Sequence, residues 1–298
     1  MGFVLTVIGA PGSSTLDDGV LEAARAALAH AGARPGAPVW LDPGIACDLP
    51  FEDASPEAAE SAVRADLAGA PLDIAAQGVG GRRKALLLAD MESTIIAEEM
   101  LDRLAAEAGM GPQIAEITAR SMAGEMDFAA ALKQRVRLLA GLPVSEVTRM
   151  SGRFTLNPGA RTLVQTMRAN GAYTVLVSGG FIDFTEPVRR ACGFHEARGN
   201  RLIIQHDTLS GAVATPIFDR EAKRATLREL TARHGLDAAA ACALGDGSND
   251  TAMVAAAGLG VAYRAKPVLR AAARFRVDHG DLSALLFLQG YRRDEFRT

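Results

Sequence analysis

The chain has 298 residues, 49% of them hydrophobic and 22% charged, enough for one large or two modest domains with buried cores. Its 32 basic and 35 acidic residues leave a formal net charge of -3, so no overall positive field exists to gather nucleic acid or an anionic membrane, and any anion recognition has to be local. Cys47, Cys192 and Cys242 lie far apart with no C-x-x-C pair, which argues against a disulfide framework and a zinc site, and with no apolar run of membrane-spanning length the expectation is a cytoplasmic protein.

Taken in chain order, residues 1 to about 80 predict a strand at Phe3–Ile8 and an alanine-rich amphipathic helix at Asp17–Ala31. A Pro/Gly-broken region with Val39-Trp40-Leu41 follows, then a helix at Pro56–Ala68 and a strand near Leu72–Ala76. That order suits a small α+β domain. The run Gly78-Val79-Gly80-Gly81-Arg82-Arg83 reads as a linker, which places a boundary between a first domain, 1–80, and a second, 81–298.

Beyond that boundary stand Ala85–Ala89, Thr174–Val177 and Ala241–Leu244, with Leu259–Ala262 a fourth apolar run. Short, near-continuous apolar strands separated by helical stretches predict a doubly wound α/β core, a parallel sheet covered on both faces. The first three runs end in Asp90, Ser178-Gly179-Gly180 and Gly245-Asp246-Gly247, which should converge, because ligands of open α/β sheets bind beyond the carboxyl ends of the strands. About eighty residues separate the first two strands, far more than one crossover helix needs. Helical patterns at Ile96–Gly109, Gln113–Ala123 and Asp127–Ala140 predict an inserted helical cap at about 96–158.

Four constellations carry the chemistry. Asp90-Met91-Glu92-Ser93-Thr94 puts two carboxylates after a buried strand, able to serve as nucleophile and proton donor, or merely to cap a helix starting near Ile95. Ser178-Gly179-Gly180 offers a hydroxyl and uncovered N–H groups for phosphate oxygens, or simply a turn. Lys223, in a helix-start stretch, is either a functional ammonium or a solvated charge. Asp246 and Asp250, with Gly and Asn between them, could hold a hard dication. The preceding strand and the lack of a closing glutamate argue against a calcium loop and favour magnesium beside phosphate.

In this order, D-x-[acid]-S-T, a strand ending S-G-G, a lysine and G-D-G-x-N-D, the series resembles the haloacid-dehalogenase phosphatases. Glu98-Glu99-Met100-Leu101-Asp102, Phe128 with Arg135-Val136, and the tail Asp281–Tyr291 narrow the likeness to the phosphoserine phosphatase branch, over about Ala85 to Tyr291. The resemblance implies that Asp90 attacks phosphorus and that Glu92 protonates the leaving seryl oxygen, then deprotonates water. It implies Mg2+ held by the Asp90 carboxylate, the Glu92 carbonyl and Asp246, with Asp250 behind them supporting the lysine or metal-bound water. Ser178, Gly179, Gly180 and Lys223 would hold the phosphoryl group, with Asn249 nearby. One departure stands out: the family usually has aspartate where this chain has Glu92, whose side chain is longer by one carbon–carbon bond of about 1.5 Å.

A phosphoserine pocket needs one acid and one base screened from water. Glu99 and Arg135 match the family's positions, although Glu99 could equally be an acid favoured in the first turn of a helix. Phe128, Leu132, Val136 and Leu139 form an apolar stripe with Arg135 at its edge, where a guanidinium needs an anionic partner such as a substrate carboxylate. Met122 and Phe128 match apolar pocket positions or are cap core. The element order of residues 1–80 resembles the ACT-like modules that bind amino acids, which implies serine binding there and a possible homodimer. The resulting expectation is a Mg2+-dependent enzyme hydrolysing O-phospho-L-serine, the last step of serine biosynthesis. The alternatives are a related phosphatase or phosphotransferase on another small phosphate ester, and a non-catalytic amino-acid sensor.

Overall fold

A computed structural model describes residues 2–12, 15–122 and 125–298, with the side chain of Met122 left outside. Its first half opens with β1 (Phe3–Gly9), α1 (Asp18–His30), β2 (Arg34–Pro35), β3 (Val39–Asp42), β4 (Ala46–Glu52), α2 (Pro56–Asp66) and β5 (Leu72–Gly78). Both helices start on side-chain caps, the Asp17 carboxylate accepting from Val20 N–H and the Ser55 hydroxyl from Ala58 N–H, the second with proline at the first helical position. The strands pair antiparallel in the order β2-β4-β1-β5, with β3 on β4. Alternation sends Leu5, Val7, Leu49, Phe51, Ile74 and Ala76 toward the two helices.

The other face of this sheet is covered too. Ile8, Ala46 and Ala75 join the main core with Phe287, Leu288 and Tyr291 of the C-terminal segment. Arg82, expected in a free linker, is pinned: its guanidinium donates to Asp48 Oδ2 at 2.6 Å and to the carbonyls of Phe287 at 3.1 Å and Leu288 at 3.2 Å. The buried Asp73 carboxylate accepts the N–H groups of Asp278 and Gly280, each at 2.7 Å, and of His279 at 3.2 Å.

The second half begins with β6 (Leu86–Asp90) and runs through α3 (Met100–Glu107), α4 (Gly111–Met122), α5 (Phe128–Leu138), α6 (Val144–Ser151) and α7 (Ala160–Ala169). It continues with β7 (Tyr173–Phe181), α8 (Ile182–Cys192), β8 (Glu196–Asn200), β9 (Leu202–Gln205), β10 (Thr208–Val213) and α9 (Arg220–His234). Last come β11 (Ala241–Gly245), α10 (Thr251–Ala256), β12 (Leu259–Tyr263), α11 (Pro267–Ala272), β13 (Phe275–Val277) and α12 (Ala284–Leu288). Six of these strands form a parallel sheet in the order β13-β12-β11-β6-β7-β8, while β9 and β10 make a separate hairpin. Leu86, Leu87, Leu88 and Ala89 are all without exposure. Leu87 and Ala89 face one packed layer, while Leu86 and Leu88 face another with Leu227, Leu230 and Met253, as a central strand buried on both sides requires.

Register sets the site. Asp90 pairs with Val177 on β7, and Leu244 on β11 pairs with Ala89, so Asp90, Ser178 and Asp246 emerge side by side on strands about 4.8 Å apart. Two predicted boundaries move. β7 continues through Ser178-Gly179-Gly180 to Phe181 rather than ending at Val177. The first cap helix begins at Met100 instead of Ile96, because Ile96 is extended and bridged to Leu156. Among the described residues no helix is long and apolar enough to cross a membrane.

Candidate active site

Asp90 is the last residue of β6 and its side chain is almost closed off. Its Oδ1 accepts from Met91 N–H at 2.8 Å and from Lys223 Nζ at 2.7 Å. After it the chain turns sharply: Glu92 is extended and Ser93 adopts a left-handed φ of 55°. That turn aims Glu92 back across the end of the sheet. Its Oε1 accepts from Met100 N–H at 2.7 Å, while its Oε2 lies 2.8 Å from the point where a Cβ on Gly180 would stand. Glu92 thus caps α3, eight residues on, and not a helix starting near Ile95.

Ser178 is fully buried, and its Oγ accepts from Gly180 N–H at 2.9 Å. With that lone pair engaged, the hydroxyl proton remains available to an outside acceptor. Gly180 N–H, expected to face a phosphate, is turned to Ser178 instead. Asn200, at the end of β8, donates to the Gly179 carbonyl at 2.8 Å and to the Phe218 carbonyl at 3.0 Å, and accepts from Phe218 N–H at 2.7 Å. It thereby ties the glycine segment to the start of α9. Asp219 caps that helix by accepting from Glu221 and Ala222 N–H, which sets Lys223 one turn in.

Lys223 has no solvent exposure, and its ammonium donates to Asp90 Oδ1 and Asp250 Oδ1, both at 2.7 Å. Burial alone lowers an ammonium pKa, but the Asp250 and Asp90 carboxylates outweigh it and Lys223 stays charged. Asp90 moves well above the usual carboxylate range, chiefly because it is desolvated, with the Asp250 charge adding to the effect and Lys223 opposing it. Asp250 accepts from Gly247 N–H at 3.2 Å through its second oxygen, and a side chain on Gly245 would collide with its carboxylate. Asp246 pairs with Lys266 Nζ at 3.0 Å, and Asn249 lies in the adjoining cavity wall.

Carboxylate oxygens of Asp90, Asp246 and Asp250 lie within 4.8 Å of one another, all three residues buried. Desolvation first, and the neighbouring acids after it, push Asp90 toward its protonated form; a hard dication such as Mg2+ suits the three oxygen-only donors and would relieve that repulsion. Both Asp250 oxygens already accept hydrogen bonds, and Asp246 is held by Thr94 Oγ1 at 3.5 Å and Lys266 Nζ at 3.0 Å, whereas Asp90 uses only Oδ1 and keeps Oδ2 for a ligand.

A cavity of about 810 Å3 opens from this cluster toward the cap. Glu99, Phe128 and Arg135 line it. Glu99 sits at the start of α3 without capping it; its carboxylate accepts from Ser93 Oγ at 2.8 Å, and desolvation raises its pKa. Burial, then the Glu99 charge, lift Glu92 to about 7. Phe128 does not continue the buried stripe of Leu132, Val136 and Leu139: it is 37% exposed and covers Gly179, where a Cβ would meet its ring at 3.0 Å. Arg135 pairs with Asp102, a partner the stripe argument did not identify. The Met122 side chain lies outside the described residues.

Three contributors were missed in the sequence. Lys266 follows the fourth apolar run, and its own N–H donates to the Asp246 carbonyl at 2.8 Å; that run had no polar ending to mark it. Asn200 carries no local signal, and Asp102, although part of the run 98–102, gives no sign of its pairing with Arg135, since their partners are distant in sequence.

Residues 87–255 match the haloacid dehalogenase-like hydrolase family. A phosphoserine phosphatase of Streptomyces coelicolor is 39% identical over 255 residues, covering 85% of this chain and 62% of the relative, so the chain spans about three fifths of that larger protein. A phosphoserine phosphatase of Streptococcus thermophilus is 39% identical over 199 residues, covering 67% of this chain and 93% of the relative. Among solved structures, a HAD family hydrolase of Salmonella enterica serovar Typhi superposes with a TM-score of 0.85 at 28% identity, covering 96% of this chain and 98% of the other.

Proposed function

The chain belongs to the haloacid dehalogenase-like hydrolases, and from that premise we propose that it is a Mg2+-dependent phosphoserine phosphatase working in the cytoplasm on O-phospho-L-serine. The observation that carries the reading is Lys223: an ammonium without solvent exposure, held between Asp90 and Asp250 at 2.7 Å from each. Burying a cation is costly unless anionic partners offset it, and one of the two partners here is the carboxylate at the end of β6, which the ammonium thereby orients.

In the first step the Asp90 oxygen that Lys223 leaves free attacks phosphorus, the bond to the seryl oxygen breaks, and the protonated Glu92 carboxyl delivers its proton to that oxygen. In the second, the Glu92 carboxylate removes a proton from water, the resulting oxygen attacks phosphorus, and the aspartyl–phosphate bond breaks to release phosphate and regenerate Asp90. A pKa near 7 suits a group that must give and then take a proton at neutral pH. Ser178 Oγ, Gly179 N–H and Lys223 hold the phosphoryl oxygens, while Asn249 borders them. The Asp90 carboxylate, the Glu92 carbonyl and Asp246 would hold Mg2+, which when bound offsets the phosphoryl charge during transfer. Glu99 takes the substrate ammonium and Arg135 its carboxylate, with Phe128 closing the cavity.

The reading extends to residues 1–80 as an ACT-like domain that binds serine, and to a homodimer, both supported by element order alone. A serine titration leaving activity and melting temperature unchanged removes the first, and a monomeric mass by light scattering removes the second. The main test is phosphate release from O-phospho-L-serine with and without Mg2+, beside an aryl phosphate. Mg2+-dependent release preferring phosphoserine supports the proposal. Comparable hydrolysis of both esters, or better transfer to an added alcohol than to water, would replace phosphoserine with a related substrate or acceptor. One phosphate released per chain followed by arrest would point to a sensor.

A further inference from the structure

Two residues of the cavity wall carry a polar atom that has no partner within the protein. Thr118 Oγ1 on α4 and Arg135 Nε on α5 are both shut off from water without a hydrogen-bond partner, and both residues line the cavity above Asp90. A threonine within a helix commonly gives its proton to the carbonyl four residues back, as Thr226 does to Ala222 at 2.8 Å. Thr118 does not. Buried donors left unpaired are destabilising and therefore scarce in folded proteins, so two of them on residues that line one cavity call for an acceptor.

The position identifies that acceptor's chemistry. The groups assigned to the phosphoryl unit sit at the ends of β6, β7 and β11 and in the first turn of α9, whereas α4 and α5 belong to the cap and meet the part of a substrate remote from phosphorus. Arg135 is anchored to Asp102, so its guanidinium holds its place in the wall. A guanidinium repels an ammonium, which leaves an anion for this corner. A carboxylate has about four acceptor sites on two oxygens and can take one donor from each residue.

Resting on the reading of the substrate as an amino-acid phosphate ester, we propose that Thr118 determines specificity, its hydroxyl donating to the substrate carboxylate beside Arg135 Nε. The valine variant keeps the shape of the side chain and removes the proton. The experiment measures kcat and KM of wild type, Thr118→Val and Thr118→Ser with O-phospho-L-serine and with phosphoethanolamine, which has the ammonium and the phosphate but no carboxylate. For Thr118→Val, the loss of kcat/KM on phosphoserine should exceed the loss on phosphoethanolamine by about tenfold. The difference should appear mainly in KM, and Thr118→Ser should restore most of it. Equal losses on both substrates, or none on either, overturn the assignment while wild type still prefers phosphoserine. If wild type shows no such preference, the substrate reading falls and this assignment falls with it.

Discussion

The carboxylate of Glu92, in the turn after β6, accepts the Met100 N–H at 2.7 Å, the first amide of α3. One side chain therefore joins the catalytic sheet to the cap, and the extra methylene relative to aspartate supplies the reach. Neutralising it should impair both halves of the cycle. Glu92→Gln can neither protonate the leaving oxygen nor activate water, and kcat should drop by about 10² to 10⁴-fold. In wild type, kcat/KM should decline as pH rises through about 7, where Glu92 loses its proton, and the glutamine variant should lose that limb. Folding stability has a matching sign. The unfolded carboxyl ionises near 4.5 and the folded one near 7, so between these values the unfolded state binds fewer protons and stability declines with pH. Chemical denaturation across that window should show a shallower decline in Glu92→Gln.

Asp90→Asn should abolish turnover, by at least about 10³-fold, without unfolding the protein. Burial and the charges of Asp250 and Asp246 already disfavour ionised Asp90, so the neutral amide relieves repulsion, and Lys223 keeps Asp250 as its partner. Its melting temperature without Mg2+ should equal or exceed that of wild type, as expected where a site trades stability for activity. The upward shift on adding Mg2+ should shrink, which thermal scans at several Mg2+ concentrations would read. A lower melting temperature would contradict this account of the Asp90 charge.

Lys223→Met should be among the most destabilising single changes, because it leaves Asp90 and Asp250 buried together without their shared cation. A cost of about 3–5 kcal/mol is expected from urea denaturation at neutral pH. Adding Asp250→Asn removes one stranded charge, so the double variant should be more stable than Lys223→Met alone. Strict additivity of the two changes would show that the contact carries no coupling.

Asp73→Ala should loosen the association between the two sheets. Its carboxylate accepts three backbone N–H groups of the segment 278–280, and the shorter side chain leaves them unpaired at a cost of about 3 kcal/mol. Amide exchange should then quicken both at 278–280 and in β5, where a purely local effect would be confined to one of them.

Much of this protein was legible without coordinates. Apolar runs of four or five residues, three of them followed by an acid, a hydroxyl or glycines, pointed to a parallel sheet with its polar groups at one end, because a strand buried on both faces can hold polar groups only where it emerges. Asp90, Ser178, Asp246 and the separation of strands that made room for a cap followed from that local pattern, and Lys223 from its place in the motif series. Tertiary structure decided which of these groups touch. The neighbouring places of β6, β7 and β11 bring Asp90 beside Ser178 and Asp246, and α9, packed across them, points Lys223 at Asp90 and Asp250. Packing also put Phe128 at the cavity, one of the two places open to it, gave Asp102 to Arg135, brought Lys266 to Asp246 and pinned Arg82 against Asp48. Each of these contacts joins residues from separate elements. The sequence period determines which face of a strand or helix is buried, whereas the partner it meets depends on how whole layers stack.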